Sequence, residues 1–212
     1  MPKRRPKPRA YHHGDLEHAL IDAGLAIVER NGIEALSLRA VARRAKVSHT
    51  APYHHFANKS ELLAAVAAAG FDQMVEAIRK QSERVRADDP FDRLRAVGRG
   101  YVQFAMTRPL VFRLMFRPEL TRPAEHPRLM EAEGRAFSTL METMVAIQQS
   151  SCIRATDPRP PAAFAWSTVH GLAMLHIDEV FAETPLGQVR FDHLAAEIHE
   201  TIISALRAHA WK

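Results

Sequence analysis

The chain has 212 residues, 47% of them hydrophobic, which is enough to bury one or two cores. No apolar run approaches the roughly 18 residues of a membrane-spanning helix, and none follows the basic N-terminus as in a secretory signal. The single cysteine, Cys152, excludes an intramolecular disulfide framework and agrees with a reducing compartment. Composition therefore predicts a soluble cytoplasmic protein that has no membrane partner.

The formal net charge is +5, and the positive excess is confined to the N-terminal part. Residues 1–60 contain eleven Lys and Arg against five Asp and Glu, whereas the rest of the chain contains 18 against 19. Residues 1–14 hold five of these basic residues interleaved with three prolines, which predicts a basic, disordered arm. Such an arm either lies in a DNA minor groove or only raises non-specific affinity through counterion release.

Apolar residues recur at helical spacing along the chain, and no segment shows sustained strand alternation. The fold class is therefore predicted to be all-α, with about nine helices that form an N-terminal three-helix domain and a C-terminal helical bundle. The helices are expected at about residues 15–30, 38–45, 49–56, 58–85, 89–107, 109–116, 127–150, 161–183 and 191–208.

Residues 37–61 predict two short helices joined by a tight turn and followed by a longer helix. Ser37 is a candidate N-cap for the first short helix, and Ser48 is one for the second, after a turn at Lys46. Asn58, with Glu61 three residues later, marks the start of the longer helix by the capping-box pattern. This arrangement is typical of a helix-turn-helix unit.

The second short helix carries side chains that suit DNA. His49, Thr50 and Ala51 combine hydrogen-bonding groups with a methyl-sized one, as base edges and thymine methyl groups in a major groove require. Pro52 removes an N–H group and is expected to tighten the first turn without abolishing the helix. Lys59, at the start of the next helix, is free to reach a phosphate.

The segment from about Asp15 to Phe71 resembles the DNA-binding domain of the TetR family of bacterial regulators. The resemblance lies in Ala42-x-x-Ala45-x-Val47-Ser48 and in Tyr53-His54-His55-Phe56-x-Asn58-Lys59-x-x-Leu62. It implies that the second short helix enters the major groove, that the tyrosine and lysine bind phosphate, and that the starts of both helices touch bases or backbone. The DNA-binding residues implied are Ser37, Leu38, Arg39, Ser48, His49, Thr50, Ala51, Tyr53, His54 and Lys59.

Three further basic or polar residues of this segment have two interpretations. Arg43 and Arg44 either contact phosphate or belong to a solvated face. The ring of His55 either faces DNA or makes a hydrogen bond within the domain.

Beyond residue 85, Pro109–Phe116 and Trp166–Gly171 resemble a TetR subgroup whose C-terminal domain is named for Trp, His and Gly. The resemblance implies a helix-turn-helix domain over 15–60, a connecting helix over 61–85, and a domain over 86–212 that senses a small-molecule effector and dimerises. Aromatic residues and methionines suit an adaptable apolar pocket, although each is alternatively an ordinary core residue. The candidate lining residues are Tyr101, Phe104, Met115, Phe137, Met141, Met144, Trp166, His170 and Met174.

The helix expected over 161–183 is apolar on two faces, and a helix of that kind must be covered on both sides. Either the subunit covers both faces, or one face packs on a partner. With the helix over 191–208 it would then form an intermolecular four-helix bundle, as the resemblance also implies. Such a homodimer would place two recognition helices about 34 Å apart on a palindromic DNA operator.

The predicted function is a DNA-binding transcriptional regulator, with repression and effector release implied by the family. A non-specific or architectural DNA-binding protein is the alternative, since the basic arm would serve it equally well. An enzyme is not expected, because no metal-binding, phosphate-binding or nucleophile motif occurs. His170 and His176 are six residues apart and point to different sides of a helix, so no metal or cofactor is predicted.

Overall fold

A computed structural model describes residues 13–85, 89–150 and 153–211, and within these ranges the chain forms nine α-helices and four 3-10 segments. The all-α prediction is confirmed. Residues 1–12 of the predicted arm and Cys152 lie outside the described residues. The α-helices are α1 His13–Asn31, α2 Leu38–Ala45, α3 Lys59–Ser82, α4 Pro90–Thr107, α5 Pro109–Met115, α6 Pro118–Thr121, α7 Pro127–Gln149, α8 Arg159–Ile177 and α9 Phe191–Ala208.

The remaining elements are short. The 3-10 segments are Ile33–Ala35, Ala51–His54, Pro123–Glu125 and Pro185–Gln188. Two strands that the sequence pattern did not predict, β1 Arg154–Ala155 and β2 Ala210–Trp211, pair in parallel and join the α7–α8 connection to the C-terminal end. No described helix has the length and apolar character needed to cross a membrane.

The predicted α-helix over 49–56 is wrong in type, because the structure has a four-residue 3-10 helix, Ala51–His54, in its place. Pro52 lacks the N–H that an α-helical ladder would use. The neighbouring N–H groups instead bond three residues back, Tyr53 to Thr50 at 3.1 Å and His55 to Pro52 at 3.0 Å. Pro52 was expected to tighten only the first turn, whereas the 3-10 geometry extends over the whole segment.

The predicted helix over 161–183 is too long, since α8 ends at Ile177. Glu179 adopts a left-handed conformation with φ 58°. Its N–H donates to the His176 carbonyl at 3.0 Å, and that of Val180 donates to the Leu175 carbonyl at 3.0 Å. These two bonds form a Schellman motif, which terminates the helix.

Helix α3 connects the N-terminal part of the fold to the C-terminal helices. At Gly24 of α1, an added Cβ would lie 2.6 Å from the Val66 side chain of α3. At Gly100 of α4, an added Cβ would lie 2.5 Å from the Ile78 Cα of α3. The buried apolar side chains form one cluster from α1 to α9, so α3 is packed at both ends of its length.

We predict that Gly100→Ala destabilises the protein by about 1–3 kcal/mol, the usual cost of overpacking, because its methyl group would meet the α3 backbone. Gly134→Ala in α7 is the matched control, since nothing lies within 4 Å of its added Cβ. Helix propensity there should give a gain of up to about 1 kcal/mol. Chemical denaturation measures both, and equal unfolding free energies for the two variants would contradict the close α3–α4 contact.

Candidate nucleic-acid interface and internal cavity

The first short helix, α2, is held at both ends by local hydrogen bonds. The Ala40 N–H donates to the Ser37 hydroxyl at 3.2 Å, which confirms the predicted N-cap. At the other end Lys46 is left-handed with φ 58°, and the Val47 N–H donates to the Ala42 carbonyl at 3.0 Å. This Schellman turn fixes the angle at which the chain enters the second short helix.

The start of the second short helix differs from the prediction. Thr50, not Ser48, occupies the N-cap position, and no side chain caps the helix. The Ser48 hydroxyl instead lies 3.0 Å from the Thr50 hydroxyl. The two hydroxyls are exposed side by side and keep hydrogen-bonding capacity for an external partner.

The longer helix begins as its capping pattern predicts. The Glu61 N–H donates to Asn58 Oδ1 at 3.1 Å, and the Ala57 N–H donates to Glu61 Oε2 at 2.6 Å. These reciprocal bonds fix the first turn of α3 and leave Lys59 exposed on it.

Most of the predicted DNA-binding side chains are exposed on the helix-turn-helix unit. Tyr53 is 52% exposed, and Ala51 is partly buried. Leu38 is only 8% exposed and belongs to the core, so the prediction fails for its side chain and leaves only its backbone as a possible contact. The exposed members of the set are Arg39, Ser48, His49, Thr50, Tyr53, His54 and Lys59.

The environment of His55 favours a structural role. Its side chain is 8% exposed, and Nδ1 lies 4.0 Å from the Glu17 carboxylate of α1. Glu17 also pairs with Arg128 of α7. His55 therefore lies where α1 and the C-terminal helices meet the helix-turn-helix unit.

A cavity of about 600 Å³ lies between α3, α4, α7, α8 and α9, a size suited to a small organic ligand. Four of the nine predicted lining residues border it: Tyr101, Met115, Phe137 and Trp166. The other five, Phe104, Met141, Met144, His170 and Met174, are not among its lining residues. Phe104 and Met144 are buried in the core, whereas Met141 and Met174 pack against it.

His170 is a half-buried, hydrogen-bonded histidine. Trp166 Nε1 donates to the Tyr101 hydroxyl at 3.3 Å, and that hydroxyl lies 2.7 Å from His170 Nδ1. The hydroxyl has one proton and two lone pairs, so it accepts from Trp166 and either donates to or accepts from His170 Nδ1 according to the histidine tautomer. Burial lowers the pKa of His170 and raises that of Tyr101, so both are neutral at pH 7. Trp166 and His170, one turn apart on α8, thus bind the same α4 side chain.

Three polar residues of the cavity wall were not among the predicted lining residues: Arg95, Glu133 and His199. A signal existed for two of them, because Glu133 is one helical turn before Phe137, and His199 is one helical turn before Ile202 on the apolar stripe of the last helix. An added Cβ at Gly98 would lie 2.0 Å from His199 Nε2, so the glycine makes room for the ring.

The segment that contains α6 and Pro123–Glu125 connects the cavity to the helix-turn-helix unit. Pro118 and Pro123 line the cavity, whereas His126 lies beside the start of α3, with Nε2 3.2 Å from the Ser60 hydroxyl. Displacement of the two prolines would therefore reach Ser60 through His126, and Ser60 is the residue next to Lys59.

Two family profiles match the chain. Residues 20–66 match the profile described as bacterial regulatory proteins of the tetR family, and residues 94–198 match one described as a tetracyclin repressor-like C-terminal domain. The chain belongs to the TetR family. The C-terminal match includes both segments, Pro109–Phe116 and Trp166–Gly171, that carried the resemblance to the Trp-His-Gly subgroup.

Two curated TetR-type relatives are similar only in part. The nicotine-responsive repressor HdnoR of Paenarthrobacter nicotinovorans is 42% identical over 76 residues, 34% of this chain and 39% of that protein. The regulator BetI of Yersinia pestis is 33% identical over 81 residues, 38% of this chain and 41% of that protein. The chain therefore spans about two fifths of the length of these relatives.

Solved structures match over nearly the whole chain. A protein of unknown function from Rhodococcus sp. RHA1 is 28% identical with a TM-score of 0.80, covering 94% of this chain and 100% of that one. The fatty acid degradation regulator FadR of Bacillus halodurans is 16% identical with a TM-score of 0.69, covering 97% and 100%. The latter likeness shows the fold alone.

We predict that His199 makes the stability of this TetR-family protein pH-dependent. Burial is the largest cause that lowers its pKa, ahead of a raising backbone hydrogen bond at Ala195, a lowering effect of Arg99 and a raising effect of Glu200. Protonation therefore favours the unfolded state, and stability falls as the pH drops below about 6.5, the ordinary histidine value.

The measurement is the unfolding free energy between pH 8 and pH 5 for the wild type and His199→Gln, which should lose part of this slope. His193→Gln, an exposed histidine on the same helix, is the control. An identical pH dependence in wild type and His199→Gln would contradict the prediction.

Proposed function

We propose that the protein is a homodimeric transcriptional regulator, a repressor that leaves a palindromic operator when a small molecule occupies the cavity. The observation that carries the proposal is the set of exposed polar side chains on a capped helix-turn-helix unit. This set faces away from the core while α2 and α3 are anchored in it. The protein would act in the cytoplasm, where its DNA target lies, and the proposal assigns it no catalytic step.

In this proposal the exposed residues have two roles. Tyr53 and Lys59 bind phosphate and set the position of the protein on the duplex. Ser48, His49 and Thr50 face base edges, with the Ala51 methyl group available to a thymine methyl. Arg39 lies at the start of α2, where it reaches the backbone or a base.

Release of DNA requires that the ligand bind more tightly to a dimer whose two helix-turn-helix units have one separation than to a dimer in which they have another. The α6 segment supplies a route for this coupling. Pro118 and Pro123 line the cavity, and His126 contacts Ser60 beside the DNA-facing Lys59. A ligand that moves α6 would change the position of the α3 start, and with it the phosphate contact.

The homodimer would form through α8 and α9. Ala163, Ser167, Gly171 and Leu175 recur every four residues along α8, and the described residues leave this face uncovered, with Leu175 43% exposed. The opposite face of α8 packs in the subunit core. One subunit covers one face, and a second copy would cover the other.

The first experiment is selection of bound sequences from a random duplex library by the full-length protein. We expect a palindromic winner with half-sites about one helical turn apart, or a multiple of that, bound at least about a thousandfold more tightly than a scrambled duplex. Equal, steeply salt-dependent affinities for both duplexes would instead support the alternative, a non-specific DNA-binding protein. The charge excess of residues 1–60 favours that alternative.

Four variants then test the two roles. Tyr53→Phe and Lys59→Ala should weaken binding to the selected and the scrambled duplex alike, because phosphate contacts carry no sequence information. His49→Ala and Thr50→Ala should weaken binding to the selected duplex by about 1–3 kcal/mol and change the preferred bases. Parallel losses on both duplexes for all four variants would refute the base-reading assignment.

Dimerisation is tested by Gly171→Arg on the exposed face of α8. The position has no atoms within 4 Å of an added Cβ, so the variant should fold, yet a partner helix would be blocked. We expect a monomer in sedimentation velocity at concentrations where the wild type is a dimer, and weaker operator binding. Gly134→Arg, equally open but on α7, should remain dimeric. A dimer of Gly171→Arg as stable as the wild type would place the interface elsewhere.

A further inference from the structure

The charged groups of the cavity wall are not equivalent. Arg95 is neutralised, because Nε and Nη2 donate to Glu200 at 2.6 and 2.8 Å, and Nη1 donates to Asp92 at 2.8 Å. His199 is neutral at pH 7, because burial lowers its pKa. Its Nε2 has no hydrogen-bond partner within the described part of the chain.

Glu133, in contrast to Arg95 and His199, carries a charge that is not compensated. Among the residues that the structure describes, its carboxylate has neither an ion-pair nor a hydrogen-bond partner, and burial raises its pKa. A carboxylate that faces an apolar cavity without a counter-charge is held at a cost, and a bound cation would remove that cost. The net uncompensated charge of the cavity wall is therefore negative.

Aromatic rings line the same cavity as Glu133. Phe137 follows it by one turn on α7, and its ring centroid lies 5.8 Å from that of Trp166. The Trp166 ring is in turn 6.4 Å from Phe116. Phe137 and Trp166 are 42% and 40% exposed, so both rings present surface that a ligand would cover. Ring faces attract cations, most strongly that of tryptophan.

We infer that the cavity binds an organic cation with an apolar body, its ammonium-type group held by Glu133 and by the rings of Phe137 and Trp166. This inference rests on the proposed effector role of the cavity and specifies the chemical class of the effector.

An organic anion of the same size fits the same walls poorly. Its carboxylate would meet Glu133 without a counter-charge, or it would have to displace Glu200 and Asp92 from Arg95. The latter exchange gives up three charge-assisted hydrogen bonds.

The test compares three probes with one skeleton: phenylbutylamine as the cation, phenylbutanol as the neutral compound and phenylbutyrate as the anion. Calorimetry on the full-length protein at pH 7.5 measures their affinities. We expect the amine to bind about tenfold or more tightly than the alcohol, as one partly desolvated ion pair with cation–π contacts would give, and the butyrate to bind most weakly.

Glu133→Gln should reduce the affinity for the amine to that for the alcohol while leaving the alcohol unchanged. Glu131→Gln removes the same charge from the exposed side of the same helix and should leave all three affinities unchanged. Equal affinities in the wild type, a preference for butyrate, or an unchanged preference in Glu133→Gln would overturn the inference.

Absence of binding by all three probes would overturn both the inference and the effector role of the cavity. The DNA-binding part of the proposed function is tested separately, by the duplex selection. A protein that selects a palindrome yet shows no charge preference among the probes would retain the regulator assignment and lose only the effector class.

Discussion

Helix α3 packs against α1 at its N-terminal part and against α4 further along, and the positions of the proposed DNA-binding residues and of the cavity depend on that packing. Two glycines on neighbouring helices allow it, Gly24 against the Val66 side chain and Gly100 against the Ile78 backbone. Because side chains in a close-packed interior transmit displacement, α3 links the two ends of the protein mechanically. Its first turn carries Lys59, and its later turns supply Phe71, Met74 and Ile78 to the cavity wall.

Polar contacts supplement this apolar packing where the helix-turn-helix unit meets the C-terminal helices. Glu17 of α1 pairs with Arg128 of α7 and lies 4.0 Å from His55, which immediately follows the second short helix. The Glu17–Arg128 pair has an exposed arginine, and such a pair contributes little to stability. The position of the helix-turn-helix unit relative to the C-terminal helices is therefore determined mainly by the packing of α3.

The sequence anticipated features that depend on neighbours within a few residues. The caps at Ser37 and Asn58 and the turn at Lys46 form as expected, since each is a hydrogen-bonding pattern among residues at most five apart. Pro52 likewise predicts a tightened helix, although the extension of 3-10 geometry over the whole segment depends on the bonds its neighbours make instead. The end of α8 at Ile177 was missed, because a left-handed glutamate gives no signal comparable to glycine.

By itself the sequence determined the all-α class, the helix-turn-helix unit and the family, because helical periodicity, capping and a motif of fixed spacing are properties of the chain in one dimension. Tertiary structure decided which side chains reach the cavity. Tyr101, Met115, Phe137 and Trp166 border it, whereas Phe104 and Met144, equally apolar, are buried in the core. Apolar character specifies burial but not what covers each residue. The isolation of Glu133 and the neutralisation of Arg95 likewise depend on residues far away in sequence, such as Glu200, which only the folded chain brings within hydrogen-bonding distance.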